Sequence, residues 1–554
     1  MNKEKLRPKL FSVMKTYSGA QFVKDVVAGI IVAIIALPLS IALALASGVG
    51  PEEGIYTAIV AGFLISFLGG SRVQIAGPTA AFATIVAGIV AKNGMDGLIV
   101  ATIIAGIMLI IMGVLRLGSL IKFIPYTITT GFTAGIAVTI LIGQLKDFFG
   151  LVYPAGTVTI ETIQKVEAFA ANISTINYQS VLVGVISLAI LVFWPKKFSA
   201  VPASLIAVIV GAAMVKLGNL PVSTIGVKAD GSVNYVISSS LPTLHIPHFS
   251  FDIIRNELSD GFTIAILAAI ESLLSAVVAD SMIGSKHNSN MELVAQGVGN
   301  MGSALFGGIP ATGAIARTAA NIKNGGRTPV AGMVHAIVLL LVLLILMPYA
   351  ALIPMPTIAA ILFQVAYNMC GWRTFTHLCK TAPKSDILVL VLTFVLTVVF
   401  DLVVAIEVGM IAACVLFMKR MSDEAEVRGW KYYTDENDPE SIELREIDTR
   451  IRVYEISGPL FFGAADRIAD ITTKDFTKVL VIRMRGVPAV DATAMHSLEQ
   501  LYDRCEKAGV KIVFSHVNEQ PYKTMVKAGF AAKIGEENFT PKIDAALERA
   551  EALL

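Results

Sequence analysis

Phe67-Leu68-Gly69-Gly70, running on to Gly77-Pro78-Thr79, and Leu305-Phe306-Gly307-Gly308, running on to Pro310-Ala311-Thr312-Gly313, decide how this chain folds. Each stretch ends a short apolar segment on a Gly-Gly break and opens another with a Pro and a Thr. Gly and Pro are common in membrane helices, so one such stretch alone says little. Two, at matching places in two halves, are the mark of an inverted repeat whose broken helices meet inside the bilayer.

The surrounding segments agree. Apolar stretches fall at about 26–46, 55–69, 74–91, 98–115, 123–142, 179–194 and 200–218, then at about 260–280, 291–307, 312–324, 328–348, 350–370, 385–401 and 402–418. That is seven plus seven, and an odd number per half forces the second copy upside down. The stretches 74–91 and 312–324 fall short of the ~20 residues a full span needs. Of the 554 residues, 55% are hydrophobic and only 16% charged, where a soluble protein carries about 25% charge. Asp, Glu, Lys and Arg number 44 in residues 1–420 and 42 in residues 421–554, a threefold jump in density. The expected architecture is an α-helical membrane protein of 14 spans in a transmembrane domain, 1–420, with repeats at about 20–218 and 258–420. A linker at 421–447 leads to a small cytoplasmic α/β domain at 448–554.

That tail alternates strand and helix: strands at Ile451–Ile456, Val479–Met484 and Lys511–Ser515, helices at Asp491–Lys507, Tyr522–Ala528 and Lys542–Leu553. Orientation follows the Lys/Arg bias of short loops. One side carries Arg72, Arg116, Lys122, Lys196, Lys197, Lys286, Lys323, Arg327, Arg373, Lys380 and Lys384. The other holds Lys92, Lys146, Lys165, Lys216, Lys228 and Arg255. Both termini are therefore expected in the cytoplasm of a multi-pass cell-membrane protein whose first span is retained.

Several chemistries are excluded. Cys370, Cys379, Cys414 and Cys505 form no CxxC or Cys/His ligand spacing, so neither disulfides nor a metal site are expected. The seven histidines, His245, His248 and His287 among them, form no triad-like pattern. A Walker loop is missing, the net charge of +2 invites no nucleic acid, and no cofactor or enzymatic reaction is implied.

What remains points to an anion. The half-helix starts Pro78-Thr79-Ala80 and Pro310-Ala311-Thr312-Gly313 would present unpaired backbone N–H groups and positive dipole ends. Two such ends facing one another bind an anion without a cation. Gly77, Ala80, Ala81, Gly313 and Ala314 let a ligand approach the backbone, and the Thr hydroxyls can cap or donate to an oxyanion. Pro and Thr also start ordinary helices. Glu271, mid-span in Ala268-Ala269-Ile270-Glu271-Ser272-Leu273-Leu274-Ser275, is costly there and so is read as functional. Low dielectric disfavours a charged carboxylate, which makes Glu271 a proton carrier, with Ser275 a turn along the same face. The bland alternative is a structural carboxyl bonded to a neighbouring helix. Arg317 either adds fixed positive charge beside the anion or pairs with a carboxylate such as Glu271. Glu407 reads as structural, and Asp280 as a cap or an edge residue. In the tail, Thr493 opens a helix and would accept a phosphate, or serve with Asp491 as an ordinary cap.

The stretches Phe22–Ser47, Glu271–Asn290 and Phe306–Asn321 resemble the sulfate permease family of anion transporters. The tail resembles a STAS domain, so the resemblance covers nearly the whole chain. It implies a core of spans 1–4 and 8–11 moving as an elevator against a gate of spans 5–7 and 12–14, in a homodimer. The family's anion would then lie at Thr79, Ala80, Gly313 and Ala314, with Ser40 of the first span beside it. Sodium-dependent bicarbonate members carry an Asp, a Thr one turn later, and Gly-Ala-Thr in span ten. Here those positions read Glu271, Ser275 and Gly313-Ala314-Ile315, and Ile315 has no hydroxyl for sodium. Thr493 aligns with the phosphorylated Ser of the antagonist proteins, although Val490-Asp491-Ala492-Thr493-Ala494 departs from their Asp-Ser-Ser-Gly.

The expectation is a secondary transporter coupling a proton, through Glu271 and Ser275, to a small oxyanion or dicarboxylate: sulfate, bicarbonate, fumarate or succinate. Its partners are the anion, the proton, the lipid bilayer, a second copy of itself and a cytoplasmic regulator on the STAS domain. Alternatives are a sodium-dependent bicarbonate transporter, an anion exchanger, a nucleobase–proton symporter and a membrane sensor signalling through its tail. The tail counts against the nucleobase reading, and the intact half-helix pair with Glu271 counts against the sensor.

Overall fold

The computed structural model describes the chain apart from residues 1–5, 120–124, 155–156, 158, 160, 195–201, 238, 248–249, 401 and 430–446. Lys122, Lys196, Lys197, His248 and most of the expected linker thus lie outside the described residues. The chain divides into two compact units, Met1–Met410 and Ile411–Leu554.

Among the described residues of the first unit, six helices are long and apolar enough to cross a membrane: Gly19–Ala46, Pro51–Leu68, Ala80–Val114, Tyr126–Phe149, Phe251–Ile283 and Val330–Ala350. Shorter helices at Tyr178–Phe193, Ala203–Leu217, Ser289–Leu305, Ile315–Lys323, Met355–Cys370 and Lys384–Val399, and the 22-residue helix Leu402–Asp423, fall on other expected segments. The stretches expected as separate spans at 74–91 and 98–115 form one run, broken at Gly94 with φ 67°. Only glycine takes that left-handed backbone freely, so the run kinks there without a loop. Side chains close the helix starts: Ser18, Ser250 and Asn288 accept from the backbone N–H of Gln21, Ile253 and Met291, satisfying donors a helix N-terminus leaves over. Gly106 and Gly297 let two helices touch, since a Cβ on either would come within 2.7 Å of the other's carbonyl oxygen; small residues permit such approach.

The two Gly-Gly stretches meet through a short antiparallel ladder. Strand β1 (Ala76–Gly77) pairs with β2 (Thr312–Gly313), Ala76 opposite Gly313 and Gly77 opposite Thr312. Glu292 ties this region together. Its fully buried carboxylate accepts from Gly70 N (2.9 Å), Ser71 N (3.1 Å), Gln74 Nε2 (3.1 Å) and Gln296 Nε2 (3.0 Å).

Among its described residues the second unit holds a five-stranded sheet in the order β3 (Glu426–Gly429), β4 (Ile451–Ser457), β5 (Val479–Gly486), β6 (Lys511–Ser515), β7 (Phe539–Thr540). β3 is antiparallel to β4, and the other pairings are parallel. Both faces are covered. Leu480, Ile482 and Met484 pack towards the helix Ala492–Lys507, while Val479 and Val481 share a core with Ile543 and Leu547 of the helix Ile543–Glu551. Parallel strands buried on both sides read as continuous apolar runs, as in Val479–Ile482. Residues 426–429, expected as linker, are instead strand β3, because Val427 packs on the first of these cores.

Candidate functional site

The approaches to the β1–β2 crossing wall a cavity of about 430 Å³, lined by Pro78, Thr79, Ala80, Glu271, Gly313, Ala314 and Arg317 among others. That size falls within the usual range of small-ligand sites. Its apolar wall comes from Leu39, Leu43, Phe132, Leu274, Ile315 and Val365.

Glu271 is half-buried, and one carboxylate oxygen does the work. Oε2 accepts from Thr79 Oγ1 and from Thr312 Oγ1, both at 2.9 Å, and the two hydroxyls lie 3.3 Å apart. Thr79 makes no side-chain cap, and both hydroxyls donate to the carboxylate. Thr79 has extended backbone (φ −126°) and leads into a 3₁₀ turn, Ala80–Phe82, before the α-helix begins.

The second half-helix corrects the expectation of bare N–H groups at Gly313 and Ala314. Gly313 N donates to Ser272 Oγ (3.1 Å) and Ala314 N to the carbonyl of Ile75 (2.9 Å). The donors helix geometry leaves over are therefore those of Ile315, Ala316 and Arg317, one turn onward, and Ile315 and Ala316 line the cavity. At the first half-helix the corresponding donors are those of Ala80 and Ala81.

Arg317 is 1% exposed. Its Nη2 donates to Ser40 Oγ (3.1 Å) and to the Pro78 carbonyl (3.3 Å), not to Glu271. Its Nε and Nη1 have no partner among the described residues. Ser40 thus supports Arg317 and is not a cavity residue. Gly77 is required there, since a Cβ on it would come within 2.2 Å of Arg317 Nη1. A buried guanidinium with unmet donors and no carboxylate partner is costly alone and is stabilised by any anion in the cavity.

Other expected residues fall elsewhere. Ser275 is buried, its hydroxyl has no partner among the described residues, and it does not line the cavity; Ser272, which the sequence reading passed over, touches Gly313 instead. Glu407 lies on an exposed face. Asp280 holds the turn after its helix, accepting from Ser285 Oγ and His287 N at 2.7 Å. In the second unit Asp491 caps the helix, accepting from Ala494 N (2.8 Å) and Phe462 N (2.9 Å), and Thr493 is exposed beside it. Glu292 and Gln74 were missed as well; a Glu one turn into a helix reads as routine dipole complement. No group of three or more His, Cys, Asp or Glu among the described residues would hold a metal.

A helical membrane unit with paired half-helices beside a cavity of small-ligand size, followed by a small α/β unit, fits a multi-pass anion transporter with a STAS domain. The chain belongs to the sulfate permease family, which it matches over residues 22–393, and it matches the STAS domain over residues 442–549. It is 38% identical to the putative sulfate transporter YvdB of Bacillus subtilis (strain 168), over 95% of this chain and 97% of that one. It is 33% identical to the bicarbonate transporter BicA of Picosynechococcus sp. (strain ATCC 27264 / PCC 7002 / PR-6), over 86% and 85%. Among solved structures, the inward-facing murine Slc26a9 anion transporter aligns at TM-score 0.88 and 20% identity, covering 99% of this chain and 94% of that one. The transmembrane domain of a cyanobacterial BicA aligns at TM-score 0.62 and 32% identity, covering 72% and 98%. Members of the family are transporters, not enzymes.

Proposed function

We propose that this chain carries a small oxyanion or dicarboxylate together with a proton. The observation that carries the reading is the shared oxygen: Thr79 and Thr312, one from each half, both donate to Glu271 Oε2 in the wall of one cavity. When Glu271 is ionised it binds both hydroxyls and sets a negative charge against an incoming anion. Protonation removes that charge and frees a hydroxyl for the substrate, while Arg317 and the first-turn N–H groups supply the attraction. Proton and anion therefore favour each other's binding, and that coupling is reciprocal. Dipole ends read charge better than shape, so sulfate, bicarbonate and fumarate or succinate all fit.

The likeness to YvdB supports sulfate and the likeness to BicA supports bicarbonate. Sodium-driven bicarbonate transport is the second reading, supported by the cluster of three oxygens at Glu271, Thr79 and Thr312. In either case the chain works as a homodimer in the cell membrane with cytoplasmic termini, its core moving as an elevator and its STAS domain taking a cytoplasmic regulator.

The test is uptake of sulfate, bicarbonate and fumarate into proteoliposomes, with an inward proton gradient or with sodium, beside Glu271→Gln. Uptake driven by protons, indifferent to sodium and uncoupled in the variant is expected. A strict sodium requirement selects the second reading. Unchanged proton-driven uptake in Glu271→Gln would overturn the assignment of Glu271.

A further inference from the structure

The helix Trp372–Thr381 joins two apolar helices, Met355–Cys370 and Lys384–Val399, and buries none of its own residues. At 3.6 residues per turn, Trp372, Phe375, Leu378 and Cys379 fall on one side and Arg373, His377 and Lys380 on the other. The apolar side rests on the protein: the Phe375 ring lies edge-on to Phe394 at 5.3 Å between centroids. The basic side is bare. Arg373, His377, Lys380 and the following Lys384 are exposed, and among the described residues Arg373, Lys380 and Lys384 make no ion pair. Lys384 opens its helix, two residues before Asp386, at the end where a cation opposes the helix dipole.

The aromatic rim says which surface the stripe meets. Trp372 is 47% and Tyr367 62% exposed; Trp372 Nε1 donates to Tyr367 OH (3.3 Å), and the Arg373 guanidinium lies 5.5 Å from the Trp372 ring centroid. Amphipathic aromatic rings beside the ends of apolar helices sit at headgroup depth, and a helix with a basic face and an aromatic-aliphatic face lies in the plane of the interface. We propose that Arg373, His377, Lys380 and Lys384 form a docking surface for the headgroups of anionic phospholipids in the leaflet this helix meets. The complementarity is of charge: Arg373, His377 and Lys380 and not one acid within Trp372–Thr381, with Lys384 three residues beyond it.

The test uses the full chain with Trp194→Phe and Trp430→Phe, so that Trp372 alone fluoresces. It is reconstituted in phosphatidylcholine vesicles carrying the same fraction of brominated phosphatidylglycerol or brominated phosphatidylcholine. A Lys or Arg near the surface enriches anionic lipid about fivefold. Stronger quenching of Trp372 by the brominated phosphatidylglycerol is therefore expected, weakening as salt is raised. Arg373→Gln with Lys380→Gln and Lys384→Gln should bring the two lipids level, whereas Arg373→Lys with Lys380→Arg should keep the preference. Equal quenching in the parent would place the stripe in water or against another partner and overturn the proposal. So would a preference that survives the triple glutamine change. Because all three side chains are exposed, uptake in pure phosphatidylcholine should be unchanged and reports that the variant is folded.

Discussion

Thr79 and Thr312 compete for one oxygen of Glu271, and what each residue contributes there is measurable. A hydrogen bond to a charged group contributes about 1.5–3 kcal/mol, so Thr312→Val should lower proton-driven uptake roughly tenfold or more, with Thr312→Ser restoring it. Equal uptake in the valine variant would detach Thr312 from the coupling. Gly77→Ala drives a methyl group against Arg317 Nη1, which is too buried to move aside. Overpacking costs about 1–3 kcal/mol, and the expected outcome is anion KM raised by about an order of magnitude in a chain that still inserts. Cys505 lies in the core of the second unit, and burial pushes its thiol up to about 11 from an ordinary 9.0. The folded state therefore favours the neutral thiol. The stability this contributes is complete below pH 9.0 and lost as pH rises through about 11. Alkylation of Cys505 at pH 8 should accordingly be slow until urea unfolds the domain, and reagent uptake followed by mass spectrometry checks it. That Glu271 and Arg317 stand out was legible from their place in apolar runs, and both line the cavity. That Arg317 reaches Ser40 and Pro78, and not Glu271, was not legible, because residues 277 apart in the chain meet only through the tertiary fold.

Among the elements, the clamp on the Gly-Gly turn is the one the sequence hid. Glu292 satisfies four donors, one of them Gln74, whose amide would lie within 1.9 Å of a Cβ on Gly313. Glu292→Ala should destabilise the detergent-solubilised protein by about 3 kcal/mol or more, since stranded buried donors each cost about 1–3. A melting temperature within a degree of the parent would argue that water replaces the carboxylate. Strand β3 is a second hidden element: Glu426-Val427-Arg428-Gly429 is too short and too charged to show a period of two, and only the free edge of β4 recruits it. Exposed or half-buried Val427 side chains differ by about 1–2 kcal/mol, so a soluble fragment from residue 424 should resist urea more than one from residue 448 by about that amount. Identical midpoints would mean that the strand adds no stability.

At the scale of the whole molecule, the charge jump after residue 420, the paired Gly-Gly/Pro/Thr stretches and the strand–helix alternation of the tail were enough to anticipate a helical membrane protein with broken, repeat-related helices and a small α/β tail. Those are properties of composition and period, which local physics writes into consecutive residues: apolar length for the bilayer, period two or 3.6 for the element. What only the tertiary structure decided is which groups meet. It paired β1 with β2 and turned both threonines onto one oxygen of Glu271. It also spent the N–H groups of Gly313 and Ala314 on Ser272 and Ile75, moved the open donors one turn along the helix, and left Arg317 buried without a carboxylate. The reason is physical: hydrogen bonds act over about 3 Å, and only the packed chain brings residues from the two halves within that distance.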